Sequence, residues 1–169
     1  VQTCALPISV SIANSGTATL DLSGFNQSLA GIVKGANTAT ITNSSATPVT
    51  LALTGTSSYA GTIKDDGGTG KINLTVAGGD LTLSGANTHS GSTLVSAGTL
   101  NVSNNLALQN SPLITTGAGT LTLGTGITTP TIGGLSGASG DLATIISSGY
   151  GNVTALTLNP ISGTVTYGG

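Results

Sequence analysis

Apolar residues alternate with Thr, Ser, Asp or Asn in short runs along the chain. Clear examples are Leu20-Asp21-Leu22, Ile72-Asn73-Leu74-Thr75-Val76, Leu81-Thr82-Leu83, Leu100-Asn101-Val102, Leu121-Thr122-Leu123 and Leu156-Thr157-Leu158. A period of two puts successive side chains on opposite faces of an extended strand, whereas a helix repeats its apolar positions every three or four residues. Turn-forming clusters separate the runs: Asn43-Ser44-Ser45, Asp66-Gly67-Gly68, Gly78-Gly79-Asp80, Asn104-Asn105 and Gly133-Gly134, with Pro48, Pro112 and Pro130 at strand boundaries. No segment reads as a helix of ordinary length. The pattern therefore predicts an all-β chain of many short, evenly spaced strands, as in a sandwich, a barrel or a β-solenoid.

Spacing favours the solenoid. The segment LALTGTSSYAG (51–61) lies over LTLSGANTHSG (81–91) at a constant offset of 30, matching Leu51 with Leu81, Leu53 with Leu83, Gly55 with Gly85 and Gly61 with Gly91. Further on, alternating pairs begin at Leu81, Leu100 and Leu121, steps of 19 and 21, about one turn of a three-sided parallel β-helix. In such a coil each rung presents inward aliphatics that only the next rung covers. The expected fold is a single-stranded parallel β-helix of seven to eight rungs, roughly 35 to 40 Å long at about 4.8 Å per rung, with a β-sandwich as the alternative.

Composition agrees with a narrow, neutral rod. Charged residues make up 5% of the chain and aromatic residues 2%, with no Met, no Trp and 27 Gly. Ser and Thr together number about 50. Small aliphatics fill a thin core without large rings, outward hydroxyls favour extended backbone, and glycines serve the corners. Lys34, Lys64 and Lys71 are the only basic residues apart from His89, so no basic face is available for nucleic acid. No apolar run approaches the roughly 20 residues of a membrane helix. Phe25, Tyr59, Tyr150 and Tyr167 cannot form the aromatic girdles of a membrane barrel.

The first eight residues, VQTCALPI, do not share this pattern. They resemble the in-frame translation of a sequencing-library adapter, so Val1–Ile8 is expected to derive from cloning or sequencing DNA. On that reading the native message begins near Ser9, and Cys4 carries no information about redox state or nucleophilic catalysis. Thr164-Val165-Thr166-Tyr167 reads as a strand directly before Gly168-Gly169, and the solenoid is expected to be a fragment spanning residues 9–169.

Residues 81–100, LTLSGANTHSGSTLVSAGTL, resemble the autotransporter-associated β-strand repeat, whose pattern runs L-T-L-x-G-x-N-x-Y-x-G-x-T-x-V-x-x-G-x-L. The matching positions are Leu81, Leu83, Gly85, Asn87, Gly91, Thr93, Val95, Gly98 and Leu100. His89 departs from the aromatic usual at its place, although the weaker copy at 51–63 keeps Tyr59. The repeat is expected to cover residues 81–112, and LDLSGFNQSLAGI (20–32) and GTIKDDGGTGKINLTVAGGDLTLSG (61–85) are similar to stretches that accompany it. This resemblance implies a right-handed parallel β-helical stalk of a bacterial surface or secreted protein, typically an autotransporter passenger. It implies a scaffold without catalytic residues, cofactor or metal of its own, exported by a signal peptide outside this fragment.

The chemistry-bearing residues are few. Asp65-Asp66 beside Gly67-Gly68 could present oxygen ligands to Ca²⁺, but the chain has neither an EF-hand loop nor a calcium-binding nonapeptide, and a turn is expected. GGTGK (67–71) resembles a phosphate loop, yet Asp65 replaces the required earlier Gly and Ile72 follows where Ser or Thr should be. His89, between Thr88 and Ser90, is expected at a corner or in packing, and Tyr59, Tyr150 and Tyr167 as rung-filling or corner residues. Sequons at Asn26, Asn43, Asn73, Asn101 and Asn152 are expected by chance in a chain this rich in Asn, Ser and Thr.

Two function classes follow. The leading expectation is a structural stalk whose host surfaces or glycans are met by other parts of the full protein, with no direct membrane insertion by this segment. The rival is a β-helical polysaccharide lyase or hydrolase, or a glycan-binding adhesin. For the enzyme only Asp65, Asp66, Lys64 and Lys71 cluster in sequence. Because solenoid ends expose unpaired strand edges, residues 9–169 expressed alone should self-associate end to end or fray. Analytical ultracentrifugation showing a monodisperse monomer, together with one sharp unfolding transition, would contradict this expectation.

Overall fold

The computed structural model describes residues 8–12, 17–34, 39–136 and 146–160. Val1 to Pro7, with Cys4, Asp141, Tyr167 and the expected strand at 164–167, lie outside the described residues. The strands are β1 (Ile8–Ser11), β2 (Thr19–Asp21), β3 (Gln27–Lys34), β4 (Thr40–Thr42), β5 (Val49–Leu53), β6 (Ser57–Tyr59) and β7 (Thr62–Ile63). They continue with β8 (Ile72–Leu83), β9 (Thr93–Val102), β10 (Leu108–Ile114), β11 (Thr120–Leu123), β12 (Thr131–Ser136), β13 (Ile146–Ser148) and β14 (Thr157–Leu158). A single 3-10 turn at Tyr150–Asn152 is the one helical element among the described residues.

Every strand pairing among the described residues is parallel, and each joins a residue to its counterpart one turn further along. One ladder runs Ser11, Val33, Ser58, Thr82, Asn101, Thr122, Ser148. That is six steps and seven strand levels, a β-solenoid of six turns. A sandwich would require antiparallel pairs joined by hairpins. The rung length read from the sequence is the one observed at its centre: Leu81 pairs with Leu100 and Leu100 with Leu121.

The coil has three faces. The first carries the inward ladder Leu51, Leu74, Thr93, Leu113, Leu135. The second carries Leu81, Leu100, Leu121 and Ile146, and the third Leu20, Ile41 and Ile63. Within β5 and the first part of β8 the burial alternates residue by residue. The period of two thus sends Leu51, Leu53, Leu74 and Val76 into the column while Thr50, Ala52, Asn73 and Thr75 face outward. Tyr59 is the one aromatic side chain in the core among the described residues. Its hydroxyl donates to the Ala39 carbonyl at 3.1 Å, which gives the polar end of the ring an acceptor inside the coil.

The similar segments at 51–61 and 81–91 occupy different faces. Leu51 to Leu53 pair with Leu74 to Val76 on the first face, whereas Leu81 to Leu83 pair with Leu100 to Val102 on the second. The shared sequence encodes a strand, a glycine corner and a second strand, and that unit fits any edge of the triangle.

Corners need backbone that passes close to the rung below. β8 and β9 each bend there, with register shifts between Val76 and Asp80. Gly98 sits at the bend with φ +75° directly over Gly79, itself at φ +60°. A Cβ on Gly98 would collide with the Gly79 carbonyl oxygen. Positive φ and backbone contact both exclude other residues. Gly98→Ala is therefore expected to cost at least about 2 kcal/mol in urea unfolding. Gly68→Ala, where a Cβ meets nothing within 4 Å, should stay within about 0.5 kcal/mol of the parent.

Candidate functional site

Lys64, Asp65, Asp66, Lys71, Asn87 and His89 lie in one region, the passage from the third face to the first at the levels of β7, β8 and β9. The loop Lys64 to Lys71 leads into β8, and one turn later Asn87 to Ser92 leads into β9. Asp65 belongs to the first segment and reaches the second. Its Oδ1 accepts the Ile72 N–H at 2.9 Å, and its Oδ2 accepts the Ser90 N–H at 2.7 Å and the Ser90 hydroxyl at 2.6 Å. The carboxylate closes its own loop and binds that loop to the next rung. Asp66, one residue on, is exposed and lies 3.8 Å from Lys64 in an ion pair that water screens.

The chain bends at Gly67 to Thr69, just after Asp65-Asp66, and of the two acids only Asp66 is exposed. Among the described residues no three of His, Cys, Asp and Glu come together in an arrangement that could hold a metal ion. Gly67 and Gly68 stand in open space, whereas Gly70 packs against the Ser45 carbonyl. GGTGK is thus an exposed bend followed by an anchored strand entry. It does not lead into a helix whose N-terminus could hold phosphate.

His89 is buried at this corner, 1% exposed. The hydrogen bonds around it have one consistent direction. Ser111 Oγ donates to the Gly91 carbonyl at 2.6 Å, so Thr93 Oγ1 must donate to Ser111 Oγ at 2.7 Å. The remaining lone pair of Thr93 then faces His89 Nε2 at 3.5 Å, which places the imidazole proton on Nε2. Nδ1 is left as a bare acceptor, buried and without a partner. Desolvation pushes the His89 pKa down from 6.5 to about 4, and the nearby Asp65 charge opposes this only in part. A buried neutral imidazole with one weak hydrogen bond is poorly placed for catalysis on a solvent-borne substrate.

Asn87 is the residue that sequence reasoning recognised only as a pattern position. It is 1% exposed; its Oδ1 accepts the Ile63 N–H at 2.9 Å and its Nδ2 donates to the Ala107 carbonyl at 3.0 Å. One amide thereby joins three successive turns. Asn73 does the same at the surface, donating to the Val49 carbonyl at 3.3 Å and accepting the Ser92 N–H at 3.0 Å. Asn43 is 2% exposed and bonds Gly24 and Thr47. Asn101 is bonded to Thr122 across the rungs. Asn26, exposed, accepts the Thr50 N–H, and Asn152 is exposed in the 3-10 turn. No asparagine recurs one rung on from Asn87 or Asn73, where Ala107 and Ser92 stand, so the sequence signal for the bridge was Asn87's place in the repeat pattern.

The remaining candidates lie elsewhere. Tyr150 is half exposed and borders an apolar cavity lined by Leu121, Ile146, Val153 and Leu156. A surface groove of about 540 Å³ runs between the corners 103–106 and 124–127, among Ser103, Asn104, Asn105, Leu106, Thr125 and Ile127, with no titratable side chain in its walls. Asp21, on the opposite side of the sequence from these, accepts Ser23 N–H, Ser44 N–H and the Ser44 hydroxyl, which hold its pKa down at about 2.

Both shifted groups give stability that is lost in acid, in separate windows. The folded protein binds His89's proton less readily than the unfolded chain does, so stability is full above pH 6.5 and falls as the pH drops towards 4, by about 3 kcal/mol. Asp21, depressed in the fold, contributes above the ordinary carboxylate range and loses its contribution as pH falls from about 4 towards 2. Urea midpoints measured across this range should show the first decline in the parent and lack it in His89→Tyr, while both decline below pH 4.

Residues 78–102 match the family model for the passenger-associated-transport-repeat. The matched stretch runs from the Gly78-Gly79 corner through the second face, Asn87, His89 and the Gly98 corner to the end of β9. No curated protein and no solved structure matches the chain. The repeat at 78–102, set within a parallel β-solenoid of six turns, supports the assignment of this chain as an autotransporter passenger repeat protein.

Proposed function

We propose that this segment is a structural stalk of a surface-displayed or secreted bacterial passenger, holding other parts of the full protein away from the cell. The observation that carries the reading is the use made of the polar side chains. Asp65, Asn73 and Asn87 each bind one rung to another, and Asp21 joins the corner at Ser23 to Ser44 one turn later. Groups whose hydrogen-bonding capacity is filled by backbone partners hold a shape and are not free for substrate. The outward Thr, Ser and Asn ladder from Ser58 to Ser148 gives the rod a neutral, hydrated surface with little attraction for charged partners. In this reading the segment's mechanical role is to set distance, and any adhesive or catalytic tip lies in another part of the protein.

A polysaccharide lyase or hydrolase on the same fold would need an accessible carboxylate with a second acid or base opposite it. Asp65 is tied to three donors, and Asp66 faces only Lys64. Asp65→Asn should therefore lower stability by about 2 kcal/mol, the scale of hydrogen bonds to a charged acceptor. Neither Asp65→Asn nor Asp66→Asn should change the response to a panel of acidic and neutral polysaccharides. Cleavage by the parent that is lost in either variant would sink the stalk reading.

The rod should also lengthen in units. Duplicating residues 81–99, one turn of the coil, is expected to keep the fold and add about 4.8 Å to the long axis measured by small-angle scattering. Loss of the β-sheet circular dichroism signal on duplication would show that the turns are not interchangeable.

A further inference from the structure

Among the described carboxylates one stands apart. Asp21 and Asp65 are each held by three hydrogen bonds. Asp80 lies inside β8 paired with Thr99, and the Leu81 that follows it is paired with Ser57 on one side and Leu100 on the other. Asp66 is exposed, has only the 3.8 Å ion pair to Lys64, and is followed by Gly67. Gly67 has φ +77°, and even a Cβ added to it would meet no atom within 4 Å. Gly67 is exposed and has neither a side chain of its own nor a neighbouring rung packed on the Cβ side of its backbone. The loop Asp66 to Thr69 is exposed throughout.

We infer that Asp66-Gly67 is a site of spontaneous backbone modification, at which the aspartate converts to isoaspartate in the folded rod. The Gly67 backbone nitrogen attacks Cγ of the neutral Asp66 carboxyl. The N–Cγ bond forms, the bond from Cγ to the hydroxyl oxygen breaks, and that oxygen leaves as water with the amide proton. The product is a five-membered cyclic imide. Water then adds to one of the two imide carbonyls. Opening at the former carboxyl carbon restores aspartate, and opening at the backbone carbonyl routes the main chain through Cβ and Cγ. Apart from solvent water no co-reactant is needed, and the net composition is unchanged.

The local consequence follows from the neighbour. The new linkage adds one methylene to the main chain immediately after Asp65, whose carboxylate joins the start of β8 to Ser90 on the following turn. Modification therefore alters the loop next to a charged side chain that ties the family-matched repeat to the preceding corner. Gly70, buried against Ser45, fixes the other end of the loop, so the extra length is confined to residues 66–69.

The lysines provide the assay, because cleavage after Lys64 and Lys71 releases residues 65–71 as one short peptide. The folded full chain is aged at body temperature in mildly acidic and mildly alkaline buffer, digested with a lysine-specific protease, and separated by reversed-phase chromatography with mass detection. The expected result is a second peak of the same mass as peptide 65–71 that grows with time and is methylated by protein isoaspartyl methyltransferase supplied with S-adenosylmethionine. It should grow severalfold faster in the acidic buffer, because ring closure expels the carboxyl oxygen as water and so draws on a proton from solution. Asp66→Glu, in which closure would require a six-membered ring, should lose the peak while keeping the parent's unfolding midpoint. Absence of a growing isobaric peak in the parent overturns the inference. So does its persistence in Asp66→Glu, or fragmentation that places the change at Asp65.

Discussion

Parallel register between successive turns is the constraint on which the rest of this structure depends. A rung of this coil has no core of its own, because its inward Leu, Ile and Val side chains are covered only by the equivalent positions above and below. Burial and backbone hydrogen bonding are therefore satisfied by the same act of stacking. A slip of one residue between rungs would turn Leu81, Leu100 and Leu121 outward and bring Thr82, Asn101 and Thr122 into the column. The aliphatic pattern makes such a slip costly at every level of the rod.

Apolar stacking fixes which residues face inward, and the polar side chains reinforce the alignment of one corner over another. Corner lengths vary, since paired residues are separated by as few as 19 positions and as many as 26. Asn87 holds the third face together across three turns from inside, while Asp65 and Asn73 do so nearer the surface. The same corner contains a buried polar atom without a partner. Thr93 interrupts a ladder that is otherwise Leu51, Leu74, Leu113 and Leu135, and brings with it Ser111 and the half-satisfied imidazole of His89. Tyr59 shows how a ring with a polar end is accommodated in the same column: its hydroxyl finds the Ala39 carbonyl, whereas His89 Nδ1 finds nothing. Burying a polar atom without a partner costs stability whichever residue carries it.

The two halves of the repeat differ in how readable they were. Gly85, Gly91 and Gly98 were legible as corner residues, and each lies so close to the rung below that a side chain would meet backbone. The fate of Asp65 was not legible, because its partner Ser90 is 25 residues away and no local pattern links them. His89 was placed correctly at a corner, yet its burial depends on Thr93 and Ser111 arriving from the next strand and the next turn. The offset of 30 between residues 51–61 and 81–91 was real in sequence and does not mark one turn in space. Similar strand and corner units were mounted on adjacent faces of the triangle.

By itself the sequence determined the secondary structure, the solenoid class and the poverty of chemistry. Alternation with a period of two, steps near 20, corner glycines and so few charged residues are local or compositional properties, and strand formation obeys them directly. Only the tertiary structure decided which face each strand joins and which polar groups are consumed in holding the turns together. Those outcomes depend on the length of every intervening corner. One added residue in a corner moves every later side chain relative to the rung beneath it, and no local pattern records that sum.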